Sequence, residues 1–162
     1  MIEYNEEIDK DMNVLRTVPR KAVVEENLLH KMVVVVLIND AGKFYVNQRK
    51  STKKVCPLKW VVGAGGAVIA GESFEHAAKR ELMEECGIEA EVKFLFDFEY
   101  ESDIIRYMGK IFMAQSNVEV KLNEQECEQG KWISRVELQE MAEHNELCPD
   151  TALYISEFLE KH

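Results

Sequence analysis

A mixed β-sheet held between helices, an α/β (α+β) architecture, is the fold class the sequence predicts. It rests on a run of β-branched apolar residues at 31–39, on a helical pattern at 74–86 bounded by cap residues, and on the lack of a regular βαβα rhythm. No Pro/Gly/Ser-rich linker, repeat or low-complexity segment divides the 162 residues, so one domain spanning 1–162 is expected.

The first thirty residues offer no clear period. Residues 31–39 are nearly unbroken apolar sequence, and Asp40, Ala41 and Gly42 supply a turn before 43–49, where Phe44 and Val46 alternate with polar neighbours. The two runs read as a hairpin entering a sheet. A short run at 60–62 meets Gly63, Ala64, Gly65 and Gly66, then 67–69 and Gly71, a stretch that reads as strand edges and tight bends. Ser73 is placed to cap a helix over 74–86, which is rich in good helix formers (Ala77, Ala78, Leu82, Met83) and stopped by Gly87. Strands at 92–100 and 104–114 follow, joined by Glu101, Ser102 and Asp103, with a short one at 130–133. Helices at 135–143 and, after Pro149, at 151–161 complete the reading.

With 20 Lys plus Arg against 30 Asp plus Glu, the formal charge is -10, opposite in sign to what a phosphate-backbone binder presents, so a stable nucleic-acid partner is not expected. A small phosphorylated substrate stays open, because a divalent cation held by carboxylates reverses the local field. Cys56, Cys86, Cys127 and Cys148 form neither a CxxC pair nor a zinc-finger spacing and read as buried or idle thiols. The acidic N-terminus lacks an apolar h-region, and the run 32–38 is too short to cross a bilayer; a cytoplasmic chain with no membrane partner is the expectation.

The chemistry concentrates in the 74–86 helix. Glu81, Glu84 and Glu85 stand at i, i+3 and i+4 and share one face, where three carboxylates repel and Arg80 supplies a single compensating charge. The partner that suits them is a hard divalent cation taking oxygen ligands, Mg2+ with Mn2+ as the alternative. Such an ion keeps positions for water and substrate phosphates, so the cluster fits metal-assisted phosphoanhydride hydrolysis. The Gly-rich turn before the helix lets backbone approach a ligand closely, and the Gly66 carbonyl is a further candidate ligand.

Residues 66–88 read GAVIAGESFEHAAKRELMEECGI. This resembles, without gap or substitution, the signature of the Nudix family, G-x5-E-x7-R-E-U-x-E-E-x-G-U with U apolar. Its fixed letters fall on Gly66, Glu72, Arg80, Glu81, Glu84, Glu85 and Gly87, with Leu82 and Ile88 at apolar places. At roughly 7 % usage per letter such a coincidence arises on the order of once in a hundred million windows. The resemblance implies a Nudix-type α/β/α sandwich with a mixed sheet. It implies Mg2+-dependent hydrolysis of a small-molecule diphosphate, such as a nucleoside diphosphate linked to another moiety. It also implies metal ligation by Glu81, Glu84, Glu85 and Gly66, catalytic roles for Glu84, Glu85 and Arg80, and orienting roles for Glu72 and Arg80.

Outside the signature, Arg20, residues 27–31, Gln48, Arg49, Lys53, Lys54, Pro57 and Trp60 resemble the branch related to type I isopentenyl-diphosphate isomerase. The alignment puts Gly65 where that isomerase carries its catalytic cysteine, and the glutamates here are complete, so hydrolysis is expected over isomerisation. The rival readings are an isoprenoid-diphosphate isomerase-like enzyme and a non-catalytic nucleotide sensor. Arg49, Lys53 and Lys54 are expected on substrate phosphates. Glu126, six residues before Trp132, is the candidate outside acid for a second metal or for activating water. His30 reads as structural, Trp60 as core, and His76, His144 and His162 as exposed; no G-x-S-x-G elbow points to covalent catalysis. Many family members pair, so homodimer and monomer are both open.

Overall fold

In the computed structural model, which describes residues 2–162, nine strands and four helices follow one another as β1 (Tyr4–Ile8), β2 (Val14–Pro19), α1 (Arg20–Glu25), β3 (Leu29–Ile38), β4 (Phe44–Arg49), β5 (Trp60–Val62), β6 (Ala64–Ala67), α2 (Phe74–Cys86), β7 (Lys93–Glu101), β8 (Arg106–Gln115), β9 (Cys127–Ile133), α3 (Arg135–Glu143) and α4 (Pro149–Lys161). The apolar run of β3 is the hub of the sheet. One edge pairs in parallel with β8 over its whole length, from Leu29↔Arg106 to Ile38↔Gln115. The other edge is shared by β1 at His30, β6 at 32–35 and β4 at Ile38. A strand bonded on both sides and covered on both faces needs continuous apolar sequence, which explains the lack of alternation.

The side chains of β3 sort by parity into two cores. Val34 and Val36 join Phe44, Val46, Ile111, Leu138, Ile155 and Phe158 beneath α3 and α4, whereas Val33, Val35 and Leu37 join Ala77, Ala78, Leu82, Cys86 and Phe112 beneath α2. The result is helix, mixed sheet, helix, as expected. The helix over 74–86 has the expected bounds: Ser73 Oγ accepts the His76 N–H at 3.1 Å, and Gly87 takes a left-handed φ of 66° while its N–H returns to Met83 O. At α3, Ser134 and Glu137 form a reciprocal capping box.

Runs 31–39 and 43–49 form the expected hairpin, antiparallel across the 40–42 turn, with a short ladder at Ile38↔Phe44 and the Asn39 N–H bonded to the Lys43 carbonyl at 3.0 Å. Beyond that end β4 pairs with β5 and β9, because β6 and β8 occupy the edges of β3. Within the glycine-rich stretch, residues 64–67 form β6 against β3. Gly63 is a true bend, with φ 63°, and a Cβ there would lie 1.8 Å from Val35 O. Residues 2–28 carry β1, β2 and α1, with Ile8, Val18 and Val23 among the side chains they bury.

Candidate active site

Helix α2 and strand β6 form one wall of a cleft of about 250 Å³. Gly66 sits so close to Glu81 that a Cβ there would come 2.3 Å from Glu81 Oε1, so only glycine leaves the carboxylate in place. Next to it the Gly65 N–H donates to Glu85 Oε1 at 3.1 Å. Arg80 lies behind this face as a clamp. It donates to both oxygens of Glu72 at 2.8 and 2.9 Å, to Glu81 Oε1 at 2.9 Å, to Glu84 Oε2 at 3.2 Å and to the Ala67 carbonyl at 3.2 Å. Glu72 also accepts the Ile69 N–H at 3.0 Å and contacts His76 Nδ1 at 2.7 Å. Helix, loop and strand are thereby tied through one guanidinium.

The electrostatics differ within the wall. Burial pushes the Glu72 carboxyl up, but the bonds from Arg80, Ile69 and His76 outweigh it and hold the group at about 2. For Glu85, burial and the charge of Glu81 push the carboxyl well above the usual range, with Glu126 adding to the repulsion and the Gly65 N–H opposing it. Burial raises Glu81 as well, against the pull of Arg80. Among the described residues, Glu85 forms no ion pair with any Lys or Arg. A crowded pair of carboxylates, an all-oxygen donor set and a glycine cradle suit a hard divalent cation, with Glu81, Glu84, Glu85 and the Gly66 backbone as the groups able to hold it.

The opposite wall is assembled from distant segments. Arg20 of α1, Arg49 at the end of β4, Lys53 in the following turn and Glu126 before β9 all line the cleft. Lys53 pairs with Glu126, whose carboxyl is held below its ordinary range first by that bond and then by further charge from Lys53, Arg20 and Arg49. Arg49 Nε donates to the Val55 carbonyl at 2.7 Å and fixes the turn that carries Lys53.

The structure thus gathers Gly66, Glu81, Glu84, Glu85, Arg49, Lys53 and Glu126 around one space, with Glu72 and Arg80 directly behind it. Lys54 is the exception: it is exposed and does not line the cleft, because the turn that brings Lys53 inward aims its neighbour at solvent. Trp60 packs against the α3/α4 core, where Lys131 Nζ lies 5.0 Å from its ring centroid. His30 is buried, bonds the Leu28 carbonyl through Nδ1 at 2.9 Å and has its pKa lowered chiefly by desolvation, yet it also lines the cleft. His76 is exposed as expected but supports Glu72. Sequence reasoning missed Asn5, Asn47, Cys148, Asp150 and Thr151 as cleft residues; their spacing carries no signal, and Pro149 had marked only a helix start.

Residues 28–150 match the family model of the NUDIX domain. An uncharacterized Nudix hydrolase of Pseudomonas aeruginosa, PA4841, is 32 % identical over 149 residues, covering 89 % of this chain and 86 % of that protein. YfcD of Escherichia coli K12, also an uncharacterized Nudix hydrolase, is 29 % identical over 151 residues, covering 92 % and 82 %. Among solved structures, DR0079 of Deinococcus radiodurans superposes with a TM-score of 0.82 at 22 % identity, covering 96 % of this chain and 98 % of its own. An Ap4A hydrolase of C. elegans gives 0.59 at 23 %, covering 82 % and 98 %. These structures share the fold. No helix among the described residues is long and apolar enough to cross a membrane. With a family model running from β3 into α4 and a relative aligned over most of both lengths, the chain belongs to the Nudix hydrolase family.

Proposed function

We propose that this protein hydrolyses a phosphoanhydride bond of a small diphosphate with Mg2+, or Mn2+, held by Glu81, Glu84, Glu85 and the Gly66 carbonyl. The observation that carries the reading is the crowded Glu81 and Glu85 pair, with no Lys or Arg among the described residues paired to Glu85 and with Glu81 pressed against a glycine that admits no side chain. When bound, the metal neutralises the diphosphate and activates the attacking water. The chain's own groups do the positioning. Arg80 and Glu72 fix the direction of the glutamates from behind, Arg49 and Lys53 bind phosphate oxygens across the cleft, and Glu126 sets the pose of Lys53 and faces the site as an additional acid.

Two observations favour this reading over its rivals. At Gly65, where the isomerase-type enzymes would need a cysteine, a Cβ would lie 2.9 Å from Val33 O, so a side chain there meets backbone. A purely binding module has no use for like charges forced together at a cost in stability.

The test is an assay with and without Mg2+ over nucleoside triphosphates, nucleotide sugars, dinucleotides and isoprenoid diphosphates, read by phosphorus NMR, with Glu85→Gln as control. Cleavage of one class by the wild type, with turnover reduced by orders of magnitude in Glu85→Gln, is expected. Equal activity in Glu85→Gln overturns the site. Binding with Mg2+ but no cleavage of any class overturns hydrolysis in favour of the sensor.

A further inference from the structure

Beside the cleft, the segment after β4 meets the start of α4. Cys56, Cys148 and Asp150 each offer a ligand atom there, all within 4.8 Å of one another. Cys148 and Asp150 line the cleft, and Cys56 is half-buried beside them. We propose that these three residues form a second metal site, of borderline-soft character, that takes Zn2+ independently of the glutamate cluster.

The donor set is the first argument: two sulfurs and one carboxylate select Zn2+ over Mg2+, just as the all-oxygen set on α2 does the reverse. The second is preorganisation. Two segments far apart in sequence are stitched together by backbone bonds, Trp60 N–H to Glu146 O at 2.9 Å and Cys148 N–H to Trp60 O at 3.0 Å, with a bridge at Trp60↔Leu147. Leu58 N–H to Arg49 O and Lys59 N–H to Cys56 O close the turn. Cys56 is held within it at φ 52°, a left-handed conformation unfavourable for a non-glycine residue. The third is the support behind the carboxylate. The buried Tyr107 hydroxyl donates to Asp150 Oδ2 at 2.6 Å, orienting the group and leaving its other oxygen for an ion, as the outer partners of metal ligands do.

A redox pair alone would not need Asp150 in the same cluster. Binding would release the thiol protons to solvent, with Cys56, Cys148 and Asp150 as the three protein ligands.

Co2+, the spectroscopic substitute for Zn2+, tests this on the full reduced chain. One equivalent should give thiolate-to-cobalt charge transfer and tetrahedral ligand-field bands, bleached by added Zn2+ and unchanged in Glu85→Gln. Cys56→Ser, at the half-exposed position, should abolish the charge-transfer intensity of its sulfur, and Tyr107→Phe should weaken Co2+ affinity by about 10-fold. Absence of charge transfer in the folded wild type overturns the proposal. So does a spectrum unchanged in Cys56→Ser, or conversion of both thiols to a disulfide by a hydroperoxide in a reduced chain that takes up no Co2+.

Discussion

On one wall of the cleft, Glu81, Glu84 and Glu85 rise from a single helix turn, the first two sharing one arginine; on the other, Arg20, Arg49, Lys53, Glu126 and Asp150 arrive from four separate segments. The first wall is made by helix geometry, where side chains three and four apart share a face. The second is made by topology: β4 pairs with β5 and β9, which draws the turn after β4, the residues before β9 and the start of α4 to the same place. In the proposed function, the wall made by one helix turn carries the diphosphate chemistry, and a wall made of loops can vary its substrate without disturbing that chemistry.

The sharpest way to separate the walls is Gly66→Ala. The new methyl displaces Glu81 Oε1, the far end of a flexible side chain, so the fold should survive with little change in Tm while kcat falls about 100-fold. Gly63→Ala, by contrast, drives a Cβ into the Val35 carbonyl at a positive φ and should appear as lost stability. Thermal melts beside kinetics distinguish the two, and a Gly66→Ala enzyme with full activity would break the idea that the glycine is a cradle.

Next in size is Glu72→Gln, which loosens the Arg80 clamp and should cost about 10- to 100-fold in activity. It also carries a pH signature. Because the folded pKa of Glu72, about 2, lies below the ordinary 4.5, its stabilisation is present above pH 4.5 and is lost as pH falls towards 2. The gap in Tm between wild type and variant should therefore close on acidification. Glu81 and Glu85 have the opposite sign: raised in the folded chain, they destabilise the metal-free protein as pH rises.

The smallest effect compares neighbours on the second wall. Lys53→Ala should raise KM about 10-fold through a lost phosphate contact and a released Glu126, whereas Lys54→Ala, exposed and outside the cleft, should change KM by less than about 2-fold. Equal effects from the two lysines would remove the distinction drawn between them.

The same contrast explains what was legible in the sequence. Helix α2, its caps and its metal-ligand candidates follow from spacing within a short window, and the continuous apolar run of β3 announces a strand buried on both faces. The hairpin at the 40–42 turn follows from adjacency, but the shortness of its ladder does not, because the partners that displace β4, strands β6 and β8, lie tens of residues away. β6 was hidden because Gly65 and Gly66 carry no β propensity; their absence of side chains answers to Val33 and Glu81. Asp150 and Cys148 were unreadable as cleft residues for the same reason, since only the bonds of residues 146–148 to Trp60 bring them there.

The position of β3 has a consequence in time as well as in space. Its amides are bonded along both edges and sealed between two apolar layers, so they exchange with solvent only through global unfolding. The glutamate wall is moored to that strand through β6, while the turn at 50–59 is moored by a few backbone bonds and one arginine. In a hydrogen-exchange experiment the two jaws of the cleft therefore keep different clocks: the one that carries the glutamates opens last, and the one that carries Arg49 and Lys53 opens on its own, long before the protein unfolds.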